Sequence, residues 1–153
     1  MTELATRPRL TTVCLDCADA DALAAFYAEL LGWDVVDRDA ESEQAGGSGW
    51  VLLADPAGGV GISCQAEAWY EPPTWPEAPS RLTKMMHFEI AVDVLDTAVA
   101  TAVAAGARVG SHQPADRNPS ELRVMIDPAG HPFCLFVDHS VVAAGCDDAC
   151  FTE

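Results

Sequence analysis

The chain has 153 residues, half of them hydrophobic, with a formal net charge of −16 and a pI near 4.3. That length and apolar content suit one folded domain with a real core and exclude a disordered polymer. The acidity excludes nucleic acid and anionic membrane as partners, because both are held by basic patches and the eight Lys and Arg here are scattered.

Leu10 to Cys17 alternates, with Val13, Leu15 and Cys17 on one face and Thr12, Cys14 and Asp16 on the other, the pattern of a half-buried strand. Asp19 or Asp21 is placed to cap a helix in which Leu23, Phe26, Tyr27, Leu30 and Leu31 recur at helical spacing, and Gly32 is its stop. Three strands follow, Trp33–Arg38, Trp50–Ala54 and Val60–Gln65, separated by the glycine-rich stretch Gln44–Gly49 and the turn Asp55–Gly59. Residues 67–84 carry Trp69, Tyr70 and Trp75 among many prolines. Proline at this density forbids a regular helix or a central strand, so the segment reads as a connector. Beyond it the same order returns: strand Met86–Val92, helix Leu95–Ala105 closed by Gly106, then strands Arg108–His112, Glu121–Ile126 and Pro132–Val137. Residues 139–153 form an acidic tail holding Cys146 and Cys150.

No run approaches the roughly 18 apolar residues of a membrane span, and MTELATRPRL lacks the apolar centre of a signal peptide. A cytoplasmic location with reduced cysteines is the expectation. Cys14, Cys17, Cys64 and Cys134 fall inside apolar strand patterns and read as small core hydrophobes. The Cys14-x-x-Cys17 spacing puts its two thiols on opposite faces of a strand, which speaks against a redox pair.

The turns show a duplication. Asp55-Pro56-Ala57-Gly58 and Asp127-Pro128-Ala129-Gly130 stand 72 residues apart, and Gly32 and Gly106 stand 74 apart. Two copies of a unit this long indicate a duplicated fold, since solenoids stack three or more shorter repeats. Each copy is a βαβββ module, the first over residues 10–66 and the second over residues 85–138, within a single domain.

Phe26-Tyr27 ahead of Leu31-Gly32, with a DPxG turn before the last strand of each module, resembles the vicinal oxygen chelate superfamily. That group holds glyoxalase I, extradiol dioxygenases and bleomycin- or fosfomycin-resistance proteins. The Pro72-Pro73-x-Trp75-Pro76 connector leading to His87, and the ending Asp127-Pro-Ala-Gly-His-Pro-Phe-Cys134, are similar to glyoxalase-like proteins of high-GC bacteria. The resemblance covers residues 10–138 and implies an α+β fold: two βαβββ modules whose curled mixed sheet lines a cup-shaped cavity, with the helices outside. In metal-using relatives, His or Gln, Glu, His and Glu occupy one position on the opening strand and one on the last strand of each module. Carried onto this sequence, the opening strands offer Thr12 and His87, and the last strand of module two offers Cys134. The repeat register puts Ile62 at the remaining place, with Ser63 or Gln65 a small slip away. Only His87 is an ordinary ligand, so the inherited metal site is expected to be lost and no cofactor is expected.

The same resemblance implies that Thr12, Cys14 and Asp16 line one wall of the cup and His87 and Glu89 another. Two apart on one strand, His87 and Glu89 share a face about 7 Å apart. The ordinary account is a solvent-facing polar pair; the chemical one is a histidine general base with a carboxylate beside it. Trp50 divides evenly between core and pocket lining, while Trp69 and Trp75 either strap the connector down or lid a pocket. Gln65 and Cys134 complete the candidate ligand-binding set. His112, His131 and His139 have no neighbours arranged for chemistry, and no nucleophile elbow or phosphate loop is present. The expectation is a homodimeric binding protein of the glyoxalase/bleomycin-resistance type for a small apolar or aromatic molecule. The alternative is a lyase, isomerase or dioxygenase-like enzyme using His87 and Glu89, with or without a divalent metal.

Overall fold

The computed structural model describes residues 8–39, 41–42 and 47–139, so the tail with Cys146 and Cys150 lies outside the described residues. The chain divides into two compact units, Met1–Glu71 and Pro72–Glu153. No helix among the described residues is long and apolar enough to cross a membrane.

The first unit runs β1 (Thr12–Cys17), α1 (Ala20–Leu31), β2 (Asp34–Arg38), a short ribbon of β3 (Glu41–Ser42) and β4 (Gly47–Ser48), then β5 (Trp50–Ala54) and β6 (Gly61–Ala66). Its main sheet has the order β1-β6-β5-β2, with β1 parallel to β6 and the other neighbours antiparallel. Asp19, not Asp21, caps α1, accepting from the Ala22 amide at 2.9 Å. Asp21 is occupied elsewhere. It accepts from the Ser48 amide at 2.8 Å and faces Arg38 Nη1 at 3.2 Å. That bond ties β4 down and explains a ribbon where the glycine-rich sequence reads only as a spacer. Gly32 ends the helix in the left-handed region at φ 66°, where a side chain would be strained. The apolar stripe of α1 buries Leu23, Phe26 and Tyr27 beside Val51, Leu53, Ile62 and Cys64. The Phe26 and Tyr27 rings meet edge to face, 4.9 Å between centroids. Burial of each such ring contributes about 2–3 kcal/mol by transfer from water.

The second unit runs β7 (Glu89–Val92), α2 (Leu95–Ala105), β8 (Arg108–Val109), β9 (Leu122–Ile126) and β10 (Pro132–Val137). Its sheet order is β7-β10-β9-β8, with β7 parallel to β10. The fold is thus α+β with two open four-stranded mixed sheets, one per module. The opening strand is shorter than its alternation predicts, since Met86 to Phe88 fall outside β7. β8 stops at Val109 instead of His112, because the chain beyond Gly110 turns to receive the connector. Phe133, Leu135 and Met125 form the core with Leu95, Ala102 and Ala107.

Both Asp-Pro turns fold around their aspartate, as Asx-type turns do. In the first, Asp55 accepts from the Ala57 amide at 2.8 Å and the Gly59 amide at 3.2 Å. In the second, Asp127 is buried. One of its oxygens accepts from the amides of Ala129 and His131, both at 2.9 Å, and the other meets His131 Nδ1 at 2.9 Å.

The connector is strapped to the second unit by Trp75. Its indole N–H donates to the His112 carbonyl at 3.0 Å, and Lys84 Nζ sits 4.6 Å above the ring. Gly110 leaves room for it, since a Cβ there would lie 3.2 Å from Trp75 Nε1. Of the two roles open to Trp75 from the sequence, strapping is the one with bonds attached to it.

Two stability outcomes are expected in urea denaturation. Asp127→Ala strips buried amides of their acceptor and should cost about 2–3 kcal/mol, against about 1 kcal/mol or less for Asp55→Ala at the more open turn. Equal losses at the two turns would contradict the burial argument. Trp75→Phe, which keeps a ring but removes the N–H, should cost about 1 kcal/mol, and Trp75→Ala should cost more. Unchanged midpoints in both Trp75 variants would show that the strap holds nothing.

Candidate functional site

The face of the first sheet turned away from α1 is laid out in rows by strand register. Asp16, Gln65 and Trp50 lie side by side across β1, β6 and β5; Cys14, Ser63 and Leu52 form the next row; Thr12 pairs with Gly61 in the third. Trp50 and Thr12 are half-buried, while Cys14, Asp16 and Gln65 are exposed. Gln65 Nε2 donates to Glu67 Oε1 at 2.5 Å, which sets both side chains on this face, and Cys14 Sγ lies 3.9 Å from Gln65 Oε1. Cys14 is therefore not the core hydrophobe its surroundings predict. Alternation turns it away from α1, whereas Cys17 and Cys64 point toward the helix and are buried.

On the second sheet the corresponding face carries the row Glu89, Cys134, Val124 and beside it the row Ala91, Phe136, Leu122. His87 precedes Glu89 by two residues, and its Nε2 lies 3.6 Å from Glu89 Oε1. Both side chains are substantially solvated, so this contact is a loose polar pair that strengthens only when the imidazole is protonated. Burial pushes the half-buried Cys134 thiol up, the Glu89 carboxylate adds to that, and Lys84 opposes it. A thiol, a carboxyl group and an imidazole thus stand close together, a set able to bind polar groups or to move a proton.

Register also decides which residues stand at the four positions that hold ligands in metal-using relatives. Thr12 precedes Cys14 as His87 precedes Glu89; Cys14 pairs with Ser63 and Glu89 with Cys134. The partner of Cys134 in the duplication is therefore Ser63. Ile62, the residue indicated by counting from the Asp-Pro turn, is 6% exposed and belongs with the α1-facing Val13 and Leu53. The cause is one additional residue between turn and strand in module one, where Gly59, Val60 and Gly61 do the work of His131 and Pro132. Thr12, Ser63, His87 and Cys134 make a poor set for an oxygen-loving divalent ion. Among the described residues, no group of three or more His, Cys, Asp and Glu is gathered in a way that could hold a metal.

The remaining candidates separate. Trp69 stands 92% exposed in a turn closed by the Tyr70 amide on the Glu67 carbonyl. Trp75 is committed to its own unit. His131, which the sequence gives no role, is the ring that closes the buried Asp127 turn; the signal was its place immediately after the DPAG motif. His139 faces Glu121 at 3.4 Å.

The glyoxalase-like domain family matches residues 12–136 of this chain. Among solved structures, a glyoxalase/bleomycin resistance protein/dioxygenase family enzyme from Burkholderia phytofirmans PsJN is similar over 85% of this chain and 98% of its own, at 18% identity and a TM-score of 0.58. A glyoxalase family protein from Enterococcus faecalis is similar over 84% and 96%, at 19% identity and a TM-score of 0.58. TnmS3, an antibiotic binding protein from Streptomyces sp. CB03234, is similar over 88% and 98%, at 18% identity and a TM-score of 0.50. None of the curated proteins matches. At such identities the structures speak for the fold, while the family match runs from the first residue of β1 nearly to the end of β10. Both modules lie inside it, and the chain belongs to the glyoxalase-like domain family, within the vicinal oxygen chelate superfamily.

Proposed function

We propose that this protein binds a small apolar or aromatic molecule, in the manner of the glyoxalase/bleomycin-resistance type, without a resident divalent metal. The observation that carries this reading is which residues register puts at the four ligand positions: Thr12 and Ser63 in the first unit, and Cys134 with a single histidine, His87, in the second. Cysteine ligates as thiolate, and the raised thiol of Cys134 works against that form. Apolar contact area is at hand on each sheet, from Trp50 and Leu52 on the first and Phe136 and Leu122 on the second. TnmS3, with the same fold, is an antibiotic binding protein, which supports binding as a use for this architecture. We place the protein in the cytoplasm as a homodimer, the commonest closed assembly, in which exposed side chains such as Met85 and Met86 would find cover.

A second reading is favoured by the approach of His87 to Glu89. It makes His87 a general base in a lyase or isomerase reaction, with Glu89 stabilising the imidazolium. A pH-dependent turnover that vanishes in His87→Ala and weakens in Glu89→Gln would select it.

Elemental analysis of protein purified without chelator should give Zn, Ni, Fe and Mn far below one per chain, unchanged in His87→Ala. Near-stoichiometric metal that disappears with His87 would overturn the metal-free reading. The thiol environment is checked separately by iodoacetamide labelling of Cys134, followed peptide by peptide at pH 8.5. Removing the Glu89 charge lowers the raised thiol pKa, so Glu89→Gln should speed labelling; removing the opposing cation in Lys84→Gln should slow it. Sedimentation equilibrium showing only the 16.2 kDa species would exclude the dimer.

A further inference from the structure

We propose that the face of the first sheet turned away from α1 is a binding site for a flat organic cation, with Trp50 as its platform and Asp16 and Glu67 as its counter-charge. This rests on the small-molecule reading above and names the ligand class and the surface that takes it.

Three independent features meet there. The first is the ring. Trp50 is half-buried at the β5 end of the row, and its amide donates to Asp39 Oδ1 at 2.8 Å. The indole N–H has no protein acceptor among the described residues, so both ring face and ring nitrogen are left for a ligand. The second is a buried hydroxyl. Ser63, in the adjoining row between Cys14 and Leu52, is only 2% exposed, so its hydroxyl lies at the floor of this face. The third is the charge pattern. Asp16 neighbours Gln65 across the strands, and Glu67 is bonded to Gln65 at 2.5 Å. Farther along, Asp34 and Asp37 of β2 pair with Ala54 and Leu52 and so add two more carboxylates to the same face. No Lys or Arg stands at a position on this face in any of the four strands. Arg38, the one basic residue of these strands, pairs with Val51 on the other side and is engaged by Asp21.

Carboxylates alone would mark nothing beyond a solvated surface. Beside an unoccupied indole and a buried hydroxyl, they select among ligands. A flat ring gains by stacking on Trp50, a positive charge on it gains again from the ring face and from Asp16 and Glu67, and an anion of the same shape is repelled. The net charge of −16 extends that preference to the encounter.

The test uses three probes of one shape and different charge: 1-naphthylmethylamine, a cation at pH 7, neutral 1-naphthalenemethanol and anionic 1-naphthoate. Affinity is read by isothermal titration calorimetry. Location is read from the Trp50 indole signal in a proton–nitrogen correlation spectrum, assigned with Trp50→Phe. The amine should bind about tenfold more tightly than the alcohol, the naphthoate least, and the gap should narrow as salt is raised. Asp16→Asn combined with Glu67→Gln, both at exposed positions, should bring the amine down to the alcohol while leaving the alcohol unchanged. If the alcohol binds at Trp50 as well as the amine, or the double variant binds the amine undiminished, the cation inference is overturned and the small-molecule reading stands. If no probe moves the Trp50 signal, the inference falls. Native mass spectrometry then separates the two readings, since a co-purified ligand would keep the broader one and its absence would remove both.

Discussion

In each module the opening strand runs parallel to the last one, and the register of that pair decides which side chains the sheet shows on each face. A one-residue slip in β1 against β6 would send Thr12, Cys14 and Asp16 under α1 and bring Val13, Leu15 and Cys17 into water. The slip is prevented by the core, because Val51, Leu53, Ile62 and Cys64 find Phe26 and Tyr27 in only one register. The polar rows that make this family interesting chemically are thus a by-product of apolar packing on the opposite side of the sheet. That is why the residues on these rows can vary without loss of the fold.

Much of this architecture is written in local pattern. The alternation of residues 12–17, the helical spacing of Leu23, Phe26 and Tyr27, and the glycine stops at 32 and 106 each follow from short-range physics, and the elements appear where those patterns stand. What escapes is what depends on partners distant in sequence. The β3–β4 ribbon has no strand-like composition, and it is held through the bond from the Ser48 amide to Asp21. Cys14 looks apolar by its neighbours, yet only the position of α1 says which side of the strand is wet. Repeat arithmetic from the Asp-Pro turns gave Ile62, because a single extra residue in a turn is invisible to an alignment of turns and decisive for a strand of period two.

The placement of the candidate residues was legible in kind more than in detail. Glu89 and Cys134 share one face of the second sheet, with His87 just ahead of its opening strand, and Thr12, Cys14, Asp16, Gln65 and Trp50 share one face of the first, as alternation required. Trp69 and Trp75 could not be sorted by composition, since a proline-rich segment imposes no period on its aromatic residues. One of them turned out to be tied by its indole nitrogen and the other to stand free in a turn. Ser63 carries no signal in the sequence, because a serine in a strand is ordinary and only the fold buries it.

The two modules have not aged alike. α1 has a side-chain cap and a pair of packed aromatic rings, while α2 begins at Val94 with no side-chain cap and buries only Leu95 and Ala102. A helix of that kind sits at the low end of the local stability range, so its amide protons should exchange with solvent well before those of α1. The second module would then open from its outer layer inward, helix first, with the sheet persisting around the buried Asp127 turn. Cleavage by a probing protease, when it comes, would begin between Val94 and Gly106.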